Sequence, residues 1–205
     1  DKDGTNSMTL AVTVLRRQTP AISMTTATNS YTQSFDALAS DGTGNEWDNA
    51  AYPFAAWYAF TGTEVTSYRS GDGGGTTGGI YSWGTDSNRS LGSLASGGNA
   101  YRFGVAFTNE TGQAITNLTV AFSAVQWRVG ASPSTNTLTF EYCVTNAVLP
   151  LTEGVWRPVR ALCFDSPLVT NATQAAGSAH AVSAKSAVIG QPIGAGQVVL
   201  LRWSD

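Results

Sequence analysis

Charge is scarce in this chain: of 205 residues only 12% are Asp, Glu, Lys or Arg, about half the usual share. With 11 basic residues and a formal net charge of −3, no Lys/Arg stripe is available to neutralise phosphates. That argues against nucleic-acid partners and against electrostatic attachment to anionic membranes. Histidine is nearly absent. His180 stands alone in "GSAHAVSAKS", without a nucleophile elbow, so Ser–His–Asp catalysis has no local signature. Two cysteines without a CxxC spacing argue against a zinc site. No apolar run approaches the roughly 18–20 residues that span a bilayer, and no transmembrane segment is expected. No charged-then-apolar leader opens the sequence, so the expectation is that a secretory signal has been removed. A helical stripe of useful length is missing as well.

What fills the gap is Ser, Thr, Asn and Gly, with 22 glycines, around a 42% aliphatic and aromatic fraction large enough for a core. That make-up matches secreted and cell-surface proteins. Period-two alternation dominates. "MTLAVTVL" sets Met8, Leu10, Val12 and Val14 on one face, and "YRFGVAFTN" sets Tyr101, Phe103, Val105 and Phe107 together. "TNLTVAFSAVQWRV" follows "ETGQAI", which reads as a hairpin connection with Gly112 at positive φ. "TLTFEYCV" aligns Leu138, Phe140 and Tyr142, while "GQVVLLRW" is apolar on both faces, as a central strand would be. Gly-rich clusters such as "SGDGGGTTGG" separate these runs and have neither the Lys nor the strand–loop–helix context of a phosphate loop. The fold class expected is all-β: a jelly-roll-like antiparallel β-sandwich over 31–205, with an N-terminal strand and connector over 1–30.

From residue 31 onward the sequence resembles a secreted β-sandwich module found in large bacterial surface and extracellular proteins. The resemblance rests on "YTQSFDALAS", "TSYRSGDGGGTTGGIYSWGTDSNRSLGSLASG", "YRFGVAFTNETGQAITNLTVAFSAVQWRVG", "LTFEYCV", "LCFDSP" and "LLRWSD". It implies a jelly-roll-like sandwich akin to carbohydrate-binding modules, and no catalytic residues. In the family the "RW-D" strand is followed by an Asp/Asn/Gly turn and a last strand. Here "LLRWSD" closes the sequence, and "DKDGTNSMTLAVTV" supplies such a turn and strand at the front. The displaced strand implies either a circularly permuted monomer or donation to a neighbouring copy, which would build a head-to-tail homopolymer. Donation is the reading favoured: a structural, non-enzymatic subunit of extracellular filaments. Residues 8–15 would be inserted beside 197–203, with Val199, Leu201 and Trp203 as the acceptor strand. The connector over 16–30 is long enough for either arrangement.

Other candidate sites are weighed against plainer readings. Trp47, Trp57 and Tyr58 in "EWDNAAYPFAAWYAF" are glycan-stacking candidates for the alternative function, a non-catalytic carbohydrate-binding module; the competing reading is core packing. Calcium is the one cofactor considered, held by Asp1, Asp3 and Asn6 with Asp205 if the two ends meet, although such turns commonly hold only water. Cys143 and Cys163 lie on consecutive predicted strands. As a disulfide they would close a loop of about 20 residues, worth roughly 3 kcal/mol; the alternative is two free thiols. Asp36, Asp48, Asp72, Asp86, Glu141 and Glu153 show no spacing that selects a glycosidase pair. Asn88, Asn109, Asn117 and Asn171 stand in N-x-S/T contexts.

Overall fold

A computed structural model of the chain describes residues 20–26, 28, 30–85, 87–129, 135–169 and 181–205. Nearly all regular structure in it is β. The strands are β1 (Ile22–Met24), β2 (Asn45–Glu46), β3 (Trp57–Phe60), β4 (Ser67–Gly71), β5 (Gly79–Trp83), β6 (Ser90–Leu94) and β7 (Arg102–Asn109). They continue with β8 (Leu118–Gln126), β9 (Thr137–Thr145), β10 (Arg157–Pro158), β11 (Phe164–Asp165), β12 (Ala181–Ile189) and β13 (Val198–Ser204). A 3-10 turn, Arg160–Leu162, separates β10 from β11.

Three sheets make two layers. The first layer is seven-stranded, in the order β1-β7-β13-β9-β10, with β3 sharing the β7 edge and β11 sharing β9. The second layer comprises a four-stranded sheet, β2-β4-β5-β6, and a β8–β12 ribbon. Most pairs are antiparallel, but β1 runs parallel to β7 and β4 parallel to β5. Both parts of the second layer face the same side of the first: Tyr68, Ile80, Val120 and Ile189 join Phe103, Val105, Phe140, Val199, Leu201 and Trp203 in one core. The chain is an all-β sandwich.

The pattern of β13 explains its place. Val199, Leu201 and Trp203 point into the main core, whereas Val198 and Leu200 join a second cluster on the outer face with Tyr58, Ala106, Cys143 and Leu151. The strand is apolar on both faces because the 147–156 loop covers its outer side; Trp156 and Val148 pack on the same cluster. Its backbone pairs fully with β7 and with β9, so it is central. Close approach here demands glycine at position 104, where a Cβ would sit 2.2 Å from the Leu201 carbonyl oxygen.

Two expectations about connections are corrected. The 110–117 segment does not close a hairpin. Gly112 takes the positive φ of 77°, but β7 and β8 belong to different layers, and the turn carries the chain across the sandwich. The stretch expected to be a connector over 16–30 contains β1, which is hydrogen-bonded to β7 with Ile22 opposite Phe107.

Asn109, at the end of β7, shows how such a crossing is held. It is fully buried; its amide NH2 donates to the carbonyls of Gln113 (2.7 Å), Ile193 (2.8 Å) and Gly194 (3.1 Å). Its Oδ1 accepts from the Thr111 N–H at 3.1 Å and the Thr111 hydroxyl at 2.8 Å. A residue so enclosed is no glycan acceptor, whereas Asn88 and Asn117 are exposed. Asn109→Ala strands buried carbonyls and is expected to cost about 2–3 kcal/mol, read from the urea midpoint.

Candidate functional site

Among the described residues β6 pairs only with β5 and β8 only with β12, so the second layer is interrupted between two free strand edges. The interruption is a groove of about 1590 Å³. One wall is the continuous run 88–95, the other the run 117–128. The floor is the inner face of the first layer: Trp57, Phe103, Val105, Phe107, Leu201 and Trp203. Small-molecule pockets commonly hold about 300–1,000 Å³, so this space is larger than one needs. Outer edges of β6 and β8 that carry no strand partner among the described residues, with apolar side chains below, are what an extended peptide requires.

Local sequence places these walls. Along β8, Val120 and Ala124 are buried and Thr119, Ala121 and Ser123 exposed, so the strand keeps one face on the core while its edge stays open. Phe122 leans over Trp203 edge-on, with ring centroids 5.3 Å apart. β6 reads Ser-Leu-Gly-Ser-Leu and is half-buried throughout. Beside it, Arg89 is 2% exposed; its Nε donates to Ser82 Oγ at 2.9 Å and its Nη2 to the Ser82 carbonyl at 2.7 Å.

Two polar ties cross between elements bordering the groove. Where the chain leaves β8, Arg128 Nη1 donates to the carbonyls of Gly73 at 3.1 Å and Gly74 at 3.4 Å. Gly73 has φ of 98°, and a Cβ on it would lie 2.0 Å from the Trp127 carbonyl oxygen, so only glycine lets the two segments meet. Elsewhere on the rim, the Asp205 carboxylate accepts from Ser93 Oγ (2.9 Å) and Asn136 Nδ2 (2.7 Å). An ion at Asp205 would compete with both donors. Among the described residues no group of three His, Cys, Asp or Glu side chains is gathered as a metal set. Asp1, Asp3 and Asn6 lie outside the described residues, as do Met8, Leu10, Val12 and Val14.

The acceptor strand needs correction. β13 is flanked by β7 and β9 along its whole length, so nothing can be inserted beside Val199, Leu201 and Trp203. Leu201 and Trp203 instead contribute side chains to the groove floor, and among the described residues the edges facing the groove without a strand partner are those of β6 and β8. Sequence could not reveal this, because alternation identifies a strand and its faces but not its neighbours.

The aromatic candidates are core residues. Trp47 is buried, stacked on Phe54 at 3.8 Å, and donates Nε1–H to the Trp57 carbonyl at 3.3 Å. Trp57 is buried, packs parallel to Trp203 at 5.9 Å, and donates to the Tyr31 hydroxyl at 2.9 Å. Tyr58 points to the opposite face, where its hydroxyl donates to the Pro20 carbonyl. Burial holds the Tyr58 phenol well above its ordinary pKa, and Glu64 adds to the shift. None of the three presents a free ring face; of the two readings weighed for them, core packing is the one the structure shows.

The cysteines stay apart. Cys143 and Cys163 are buried free thiols. The register sets Phe164 opposite Leu138, whereas Cys143 lies further along β9 opposite Leu200 of β13. The 3-10 turn interrupts the long hairpin that would have aligned them, and Cys163 Sγ contacts the Val159 carbonyl oxygen at 3.6 Å.

Comparison with family models, curated proteins and solved structures finds no match to this chain. No described helix is long and apolar enough to cross a membrane.

Proposed function

We propose that this protein is a secreted structural subunit that builds extracellular filaments, each copy giving residues 8–15 to the groove between β6 and β8 of the next. The observation that carries the reading is that groove: a gap in one layer, bordered by the edges of β6 and β8 that have no strand partner among the described residues, and floored by aromatic and aliphatic side chains. The matching occupant is the alternating segment "MTLAVTVL". Laying Met8, Leu10, Val12 and Val14 onto the floor would stabilise the contact by roughly 1.5–3 kcal/mol per side chain, before any ladder hydrogen bonds. Giving at one place and receiving at another is a heterologous contact, which propagates into chains. Secretion rests on composition, and jelly-roll kinship on the resemblance of the central blocks.

Negative-stain microscopy of the full chain beside a variant lacking residues 1–15 tests the reading. Filaments are expected from the first and none from the second. The truncated protein is expected to bind a labelled peptide of residues 5–17. A full chain that stays monomeric, with 8–15 paired inside its own sandwich, overturns it.

A further inference from the structure

The β8–β12 ribbon has two edges, that of β8 bordering the groove and that of β12. Among the described residues β12 pairs with β8 alone, along all nine of its residues, and its other edge has no strand partner. Such an edge is a template for a further strand. Alternation sorts its side chains. Val182 and Val188, 64% and 57% exposed, lie with exposed Ala184 and Ser186 on the outer face. Ala187 and Ile189 pack on the main core, and Lys185, on the same side, places Nζ 5.9 Å from the centroid of Phe164.

The strand reads almost the same in both directions: Val182-Ser183-Ala184-Lys185-Ser186-Ala187-Val188. Turned about a two-fold axis through Lys185, a second copy lays its β12 antiparallel to the first along its full length. Val182 then stands beside Val188, and Ala184 beside Ser186, on one continuous outer face. This symmetry selects the same chain as the fitting partner, and a contact of that kind is isologous and closes as a pair. One position opposes it, because Lys185 meets Lys185.

Among the nine residues of β8 and the nine of β12, Lys185 alone is charged. Among the described residues no carboxylate forms an ion pair with it, and Asp165, next to Phe164, is paired with Arg160. Like charges directly opposite across a strand pair are destabilising. Sliding the copies by two residues sets Lys185 opposite Ala187. The two lysines then become diagonal neighbours about 7–8 Å apart, still close enough to repel at physiological salt, and the strands overlap less.

We infer that the outer edge of β12 is a self-association surface held closed by Lys185: a second copy fits it at every position but that one. Removing or reversing the charge opens the edge. This gate is independent of strand donation; in filaments of the proposed kind it would keep one filament from zipping onto the next.

The test uses full chains carrying Val12→Asp, a change in the alternating segment that leaves β12 untouched, and reads association by sedimentation equilibrium. The chain with Lys185 is expected to be monomeric. Lys185→Thr is expected to dimerise with a dissociation constant at least about tenfold lower. Adding Val182→Asp should return it to monomer. Lys185→Glu, again like against like, should stay monomeric alone and form a heterodimer when mixed with the lysine chain. That charge exchange decides the matter if Lys185→Thr fails to fold, and Lys185→Thr decides it if Lys185→Glu fails. A folded Lys185→Thr chain no more associated than its parent overturns the gate, as does a mixture without heterodimer. A Lys185→Thr dimer indifferent to Val182→Asp places the contact elsewhere and overturns it too. Polymer persisting in the Val12→Asp parent counts against strand donation alone, and the same comparison below its threshold concentration still decides the role of Lys185.

Discussion

Replacing Arg202 by methionine is expected to destabilise the folded chain by about 3–5 kcal/mol, seen as a lower urea midpoint at unchanged slope. Arg202 sits on the outer face of β13 with its side chain 11% exposed. Its Nε donates to Glu141 Oε2 at 2.8 Å, its Nη2 lies 2.7 Å from the same oxygen, and its Nη1 donates to the Leu151 carbonyl. The guanidinium also lies over the Trp156 ring, 3.9 Å from its centroid. One side chain thus joins two central strands to the 147–156 loop that covers the second cluster. Methionine keeps most of the volume but leaves Glu141, 16% exposed, as a shielded carboxylate without its cation. The stranded charge, more than the lost attraction, sets the size of the effect. Adding Glu141→Gln to the same chain should therefore recover most of the loss. A single-variant loss below about 1 kcal/mol would show that water reaches Glu141 and that the loop is held by Trp156 packing alone.

The second large effect is expected on assembly. Val12→Asp should raise the concentration needed for polymer at least 100-fold while the melting of the body is unchanged. Placing an aspartate on the aromatic floor removes about 1.5–3 kcal/mol of apolar burial and adds the desolvation of a carboxylate. Each 1.4 kcal/mol is tenfold in association, so 100-fold is the lower bound. Thr13→Asp, one residue on, faces away under the same alternation and should matter far less. Light scattering across a dilution series of both variants measures this. Equal effects at the two positions would mean that the segment does not bind as a strand with one face down.

Much of the architecture was legible because it depends on short-range alternation. The runs ending at Asn109, Gln126, Thr145 and Ser204 are strands as expected, and the double-sided apolarity of 198–203 correctly marked a central position. What escaped depends on pairing at long range. Nothing in "ETGQAI" distinguishes a hairpin from a crossing between layers; the difference lies in Asn109 bonding to Ile193 and Gly194, more than eighty residues away. The groove was misplaced beside 197–203 for the same reason, since β6 and β8 look like ordinary strands and only their lack of a second neighbour among the described residues sets them apart. Trp47, Trp57 and Tyr58 were open to two readings because composition alone cannot tell a ring that packs from a ring that waits for a sugar. The cysteines were misaligned by a 3-10 turn of three residues that no periodicity announces.

The centre of the seven-stranded sheet has a temporal consequence. β13 lies between β7 and β9 yet follows both in the chain, with Val198–Ser204 paired on each side. While the chain is being made, β7 and β9 must wait, their facing edges unsatisfied, until the residues after Gln197 arrive. A nascent chain lacking those seven residues has its first layer split into a β1–β7–β3 group and a β9–β10–β11 group with nothing to join them. Closure of the first layer would be timed by the emergence of residues 198–204.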